Sequence, residues 1–218
     1  MAASEATTGR FEARALDCER GGRRVFAGLD FALSAGGALV LRGANGSGKS
    51  SLLRILAGLL RPVGGTLEWA GEPVAEDPDA HRTRLHYVGH LDALKTTLTV
   101  GENLAFWAGL RGSVEGVGTA LDHFGLGELA DMPACYLSAG QRRRASLVRL
   151  VASEAALWLL DEPTATLDDA SVAALGRAME AHRAAGGIVV VATHGVLEIA
   201  DAQSLDMSAF GPRPEIEP

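Results

Sequence analysis

Apolar and polar positions alternate weakly along FEARALDCERGGRRVFAGLDFAL, residues 11–33, around a Gly-Gly pair. A period of two broken by such a pair predicts an antiparallel hairpin. ALVLRG (38–43) is a short apolar run ending in glycine, and GSGKSSLLRILAGLL follows it. There Leu52, Leu53, Ile55, Leu56, Leu59 and Leu60 recur at helical spacing, so strand, loop and a helix over 50–60 are predicted. RPVGGTLEWAGEPV (61–74) sets turn residues around a short strand, and LHYVGH (85–90) predicts another. From about 98 to 152 the texture becomes helical: TVGENLAFWAGL, GVGTALDHFGL and the segment after Gly140 have no β-rich run between them. Strand character returns in ALWLLDE (156–162), followed by a helix over 171–184, strand GIVVVATH (187–194) and a short helix from Val196. The pattern is an α/β core interrupted by a helical segment, with GPRPEIEP (211–218) as a loose tail.

Composition narrows the class. The hydrophobic fraction of 47% suits a folded chain, and no apolar run reaches the roughly 18–20 residues that span a bilayer. MAASEATTGRFEAR has no apolar core of a secretory signal, so a cytoplasmic protein with no direct membrane insertion is expected. The net charge of -7 gives no global basic surface and argues against nucleic acid as a partner. Cys18 and Cys135 lack any CxxC spacing and read as reduced structural thiols.

Chemistry concentrates in a few short stretches. GANGSGKS fits G-x-x-x-x-G-K-[ST] through Gly43, Ala44, Asn45, Gly46, Ser47, Gly48, Lys49 and Ser50. Its glycines let backbone N–H groups turn inward around a polyphosphate at a helix start. Lys49 is placed to reach the β- and γ-phosphates, and the Ser50 hydroxyl to ligate Mg2+. The competing reading, a plain Gly/Ser turn, does not account for the strand before it and the helix after it. ALWLLDE drives Asp161 to the carboxyl end of a strand, where it can hold Mg2+, and Glu162 can take a proton from an attacking water. His194 ends the next strand and can hydrogen-bond a γ-phosphate or that water. His81, His86, His123 and His182 read as surface or packing residues. LSAGQRRRASL (137–147) opens a helix with Ser138, Ala139 and Gly140, a natural anion site, far from the phosphate loop.

Together these motifs resemble the ATP-binding cassette (ABC) ATPases: GANGSGKSS as phosphate loop, LSAGQ as signature, ALWLLDEP as second acidic motif, ATLD (165–168) as D-loop and ATH (192–194) as switch histidine. The order matches and covers nearly the whole chain. LSAGQRRR, LRILAGLLRP, GTLEWAG, YVGH, LKTTLTVGENL and LWLLDEP resemble more narrowly the ATPase subunits of cytochrome c maturation transporters, the CcmA group, which works with membrane subunits CcmB and CcmC in haem export.

The resemblance implies one ABC-type domain over 1–218: a P-loop NTPase (RecA-like) core with an antiparallel β subdomain over 11–91 and 153–210, and a helical subdomain over 92–152. It implies MgATP bound by residues 43–50 and Ser51, with Glu162 as base and His194 and Lys49 stabilising the transferring phosphoryl group. A second copy would close over that ATP head to tail through Ser138, Ala139, Gly140 and Gln141, with Asp168 linking the two sites. The chain would sit at the cytoplasmic face of the inner membrane, held by a permease. Two positions depart from the family pattern. His90 stands where a glutamine ligand of Mg2+ and water is usual, and Arg20 where an aromatic often stacks on adenine. In the helical insert, Leu98, Leu104, Phe106 and Trp107 are candidates for the permease groove or for the insert's own core. Arg142, Arg143 and Arg144 read as a solvated helix face, with support of a phosphate by one of them as the alternative. Another ABC exporter, or a non-transport ABC ATPase acting on nucleic acid, shares the motifs; the short insert and acidic balance speak against the latter.

Overall fold

Gly21 and Gly22, at φ 57° and 74°, turn the first hairpin in a conformation that glycine reaches without a Cβ clash. The computed structural model describes residues 9–112, 115–195 and 197–211. The hairpin joins β1 (Phe11–Arg20) to β2 (Arg23–Leu33), and with β4 (Gly64–Trp69) and β5 (Glu72–Pro73) it forms an antiparallel sheet in the order β2-β1-β4-β5. Phe11, Leu16, Phe26, Leu29 and Leu33 are buried from it.

The second sheet is parallel throughout, in the order β6-β7-β8-β3-β9. Its strands are β3 (Ala38–Arg42), β6 (Leu85–Val88), β7 (Leu157–Asp161), β8 (Ile188–Ala192) and β9 (Gln203–Asp206). Every residue of β7 and β8 is buried, which is why both read as unbroken apolar runs: each face of the sheet is covered. Leu39, Leu41, Leu157, Leu159 and Val190 pack on one side with α1 (Lys49–Leu56) and the antiparallel sheet. Ala38, Trp158, Leu160, Val189 and Val191 pack on the other with α5 (Ala139–Ala152) and α6 (Asp169–Ala184). Truncating a fully buried leucine such as Leu159 to alanine in such a core costs about 2–5 kcal/mol.

The remaining helices are α2 (Pro78–Thr83), α3 (Val100–Gly109) and α4 (Val117–His123). Thr99 and Glu102 form a reciprocal capping box that starts α3. α1 is shorter than its leucine spacing predicts. Gly58, at φ 66°, sends its N–H to Ile55 O at 2.9 Å while Leu59 N reaches Arg54 O at 2.8 Å. This Schellman closure ends the helix at Leu56 and leaves Leu59 59% exposed. No helix forms over 197–200, contrary to expectation; Val196 and residues 212–218 of the expected tail lie outside the described residues. Leu104 is 1% exposed and belongs to the insert's core, whereas Phe106 is 53% exposed. Among the described residues, no helix is long and apolar enough to cross a membrane.

Candidate functional site

The loop between β3 and α1 is shaped by its glycines. Gly43 and Gly48 hold φ 134° and 101°, and a Cβ on Gly48 would lie 2.7 Å from Val25 Cγ1. Glycine is therefore required by conformation and by space. Lys49, only 6% exposed, folds back over the loop: Nζ donates to Gly43 O at 2.8 Å and to Ala44 O at 3.1 Å. Ser47 Oγ is buried with no partner of its own, an orphan of the kind a phosphate oxygen satisfies. Ala44, Asn45 and Gly46 line the open side of the loop, and Ser50 and Ser51 are half-buried in the first turn of α1.

Strand pairing brings the other motifs to the same edge. Leu41 of β3 and Asp161 of β7 both register with Ala192 of β8, so the carboxyl ends of the three strands align. Asp161 is 2% exposed. Glu162 follows in the left-handed region, φ 47°, with its N–H donating to Ala192 O at 2.8 Å. Its Oε2 accepts from the His194 backbone N–H at 3.2 Å, and Oε1 is buried with no hydrogen-bond donor.

His194 Nε2 lies 3.0 Å from Lys49 Nζ and 3.5 Å from Glu162 Oε1. An ammonium can only donate, so Nε2 is the acceptor and the ring proton resides on Nδ1. The same ring nitrogen thus stands between the Lys49 ammonium and the Glu162 carboxylate.

The LSAGQ stretch starts α5. Ser138 Oγ accepts from Gln141 N at 3.2 Å, and Gln141 Oε1 accepts from Ser138 N at 2.8 Å, a capping box that leaves the serine hydroxyl proton free to donate. Ser138 and Ala139 are exposed, and a Cβ on Gly140 would meet Thr166 O at 3.0 Å. The signature turn and the 165–168 loop are thus neighbours within one chain. Asp168 Oδ1 accepts from Ser171 N at 2.8 Å and caps α6; these bonds to Ser171 hold its carboxyl below the usual range. Arg20 is exposed at the hairpin tip, and His90 is exposed in the loop after β6.

The family model described as ABC transporter matches residues 26–165. A Paramagnetospirillum magneticum protein named cytochrome c biogenesis ATP-binding export protein CcmA is 55% identical over 211 residues, 94% of this chain and 97% of the relative. A Rhodospirillum rubrum protein of the same name is 56% identical over 205 residues, 94% of this chain and 88% of the relative. The chain belongs to the CcmA family of ABC transporter proteins. Among solved structures, one titled "Structure of ATP binding subunit of ABC transporter" is 26% identical with a TM-score of 0.77, covering 84% of this chain and 79% of that one.

In this CcmA-family chain the basic run after the signature is not a solvated face. Arg143 is 4% exposed, Arg142 donates to Leu137 O at 2.6 Å, and Arg144 donates to Phe124 O at 3.1 Å. Arg143 reaches Gly89 O at 2.9 Å and the carbonyls of Asp161 and Glu162, each at 2.7 Å. The signal was present in the helical period: Arg143, Leu147 and Leu150 share one stripe of α5, and both leucines are buried. His81, His86 and His182 serve packing, each with Nε2 on a backbone carbonyl.

Proposed function

We infer that this chain is the ATP-hydrolysing subunit of an ABC exporter in cytochrome c biogenesis, driving haem export or release of a haem-loaded carrier. The observation that carries the hydrolysis is the convergence of Lys49, His194 and Glu162, from three separated motifs, within 3.0 and 3.5 Å of one ring nitrogen; the pathway is carried by the likeness to relatives named CcmA.

The residues of 43–51 hold the triphosphate. A phosphate oxygen is a stronger acceptor than a carbonyl or an imidazole, so it draws Lys49 Nζ from Gly43 O and His194 Nε2. Once Lys49 has left Nε2, the ring can carry its single proton on Nε2 instead of Nδ1 and donate it to the γ-phosphate. Glu162 Oε1, buried and without a donor, accepts the proton of the attacking water. Positioning and electrostatics supply most of the rate acceleration in phosphoryl transfer. The Ser50 hydroxyl and the Asp161 carboxylate are oxygen donors of the type Mg2+ takes and would hold the cation that accompanies the nucleotide, which would supply neutralisation of phosphate charge. His90 offers a ring nitrogen, better matched to hydrogen-bonding a water than to ligating this hard cation. Arg20 offers a guanidinium plane to the base.

The exposed Ser138 and Ala139, with Gly140, point to a second copy of the chain as the partner that closes the site, and Asp168, beside that turn, reports its closure to α6. Two-fold symmetry then gives each ATP a loop from one copy and a signature from the other. The membrane partner, of the CcmB and CcmC kind, is assigned to a cleft of about 750 Å3 lined by Leu59, Tyr87, Trp107, Leu110 and Arg111. Leu59 and Leu110 are 59% and 66% exposed there, an apolar rim that a permease loop helix would cover. Docking there would hold the chain at the cytoplasmic membrane face.

The test is Lys49→Ala in cells carrying the full transporter. The expected result is loss of ATP hydrolysis in the purified complex and loss of covalently attached haem from c-type cytochromes. Normal cytochrome c with hydrolysis abolished would contradict the pathway, and hydrolysis unchanged would contradict the site.

A further inference from the structure

β6 is the edge strand of the parallel sheet, and alternate carbonyls of an edge strand point away from its partner. On the inner side, Arg84 O accepts from Ala156 N at 2.8 Å and Leu157 N at 3.1 Å. On the outer side, the carbonyls of Thr83, Leu85, Tyr87 and Gly89 are each taken by a guanidinium from the helical insert. Arg111 serves Thr83 at 2.7 Å and also Leu85, Arg149 serves Tyr87, and Arg143 serves Gly89 at 2.9 Å. A row of arginines thus covers the edge that would otherwise be unpaired, and it runs from the start of β6 to the loop carrying His90.

The last arginine of the row does more than cover an edge. Nη2 of Arg143 donates to Asp161 O and Glu162 O, Nε to Pro163 O at 3.3 Å, and Nη1 to Gly89 O and, at 3.4 Å, to Asp92 Oδ1. Glu162 sits at φ 47°, a strained value for a residue with a side chain, and such a conformation persists only where its surroundings fix it. Its N–H is held by Ala192 O and its carbonyl by Arg143, so both backbone polar groups are tied down on either side of the carboxylate.

We propose that Arg143 is a positioning residue for hydrolysis. It locks the left-handed backbone of Glu162 and the loop of His90 into one unit with the signature helix. The inference rests on the assignment of Glu162 as the base. Arg143 follows Gln141 by two residues on α5, so movement of the signature turn against the partner's nucleotide is transmitted through one rigid guanidinium to the chain's own base. A planar donor with a fixed fork suits this task, because it engages carbonyls of two separate segments at once. Lysine, with one nitrogen, holds only part of the set.

The test is steady-state ATP hydrolysis by the full chain in complex with its permease, together with nucleotide Kd. Arg143→Gln is expected to lower kcat at least tenfold with KM and Kd for ATP within about threefold, and Arg143→Lys to recover part of the rate. Arg183→Gln is the matched control, since Arg183 holds Gly36 O at 2.8 Å and Ala200 O at 2.7 Å from the amino-terminal end of the sheet. It is expected to leave kcat within twofold. Equal losses in Arg143→Gln and Arg183→Gln, a raised KM at unchanged kcat, or no loss at all would overturn the proposal. Should Arg143→Gln fail to fold, Asp92→Asn removes only the half-exposed end of the cluster. It is expected to lower kcat severalfold, and an unchanged rate there overturns the proposal as well. If the wild-type complex hydrolyses no ATP, or Glu162→Gln hydrolyses it normally, the underlying assignment fails instead.

Discussion

Lys49 Nζ lies 3.0 Å from His194 Nε2, across 145 positions of sequence. The contact fixes the tautomer of the ring, because an ammonium offers no lone pair. His194→Ala removes a group that hydrogen-bonds developing negative charge, an effect worth about 10²–10³-fold in rate. It is expected to lower kcat in that range while ATP still binds, since Lys49 and the 43–51 loop that hold the triphosphate are left in place. ATP hydrolysis and equilibrium nucleotide binding measured on the same variant decide it; loss of binding with kcat retained contradicts the assigned role.

Gly48→Ala tests the loop. The left-handed backbone alone costs a residue with Cβ about 1–2 kcal/mol, and the new atom would lie 2.7 Å from Val25 Cγ1. The expected outcome is a lowered Tm and ATP affinity reduced at least tenfold. Gly46→Ala is strained in the same sense, but its Cβ meets nothing within 4 Å. A larger drop in Tm for Gly46→Ala than for Gly48→Ala would contradict the argument from space.

The loop, Asp161, Glu162 and His194 were legible because spacing and strand periodicity place them without tertiary information. The strand order that aligns Leu41, Ala192 and Asp161 was not, since register depends on neighbours distant in sequence. β9 shows one buried residue, Leu205, in four, too little pattern to announce a strand. Arg143 was hidden for a different reason. Arg142, Arg143 and Arg144 are chemically alike, and only the helical phase shared with Leu147 and Leu150 separates the buried one from its half-buried neighbours.

Buried histidines set the acid limit of stability. His86 is pushed down to about 3 by burial and then by Arg111, against its hydrogen bond to Ser153; His182 is pushed down to about 4 by burial. Unfolded histidine titrates near 6.5, so below about pH 6.5 the unfolded chain binds protons that the folded chain refuses. Stability is therefore full above that pH and falls by about 1.4 kcal/mol per pH unit for each histidine, until each folded pKa is reached. Denaturant titrations between about pH 6.5 and 4.5 should show this slope. His86→Asn, which keeps a donor for Ser153 O, should reduce it by the share of one histidine. An identical slope in that variant contradicts the assignment.

Glu162→Gln is the most direct measurement of the central claim. It keeps the shape of the side chain at φ 47° and removes the base, whose loss typically lowers the rate about 10²–10⁴-fold. The variant complex with its permease is expected to bind ATP with unchanged or tighter affinity, to hydrolyse it at least about 10²-fold more slowly, and to accumulate two copies closed around unhydrolysed nucleotide. Cross-linking of Ser138→Cys in one copy to Asn45→Cys, exposed on the phosphate loop of the other, with ATP retained, reports that closure. Hydrolysis within a few-fold of the wild-type rate would contradict Glu162 as the base.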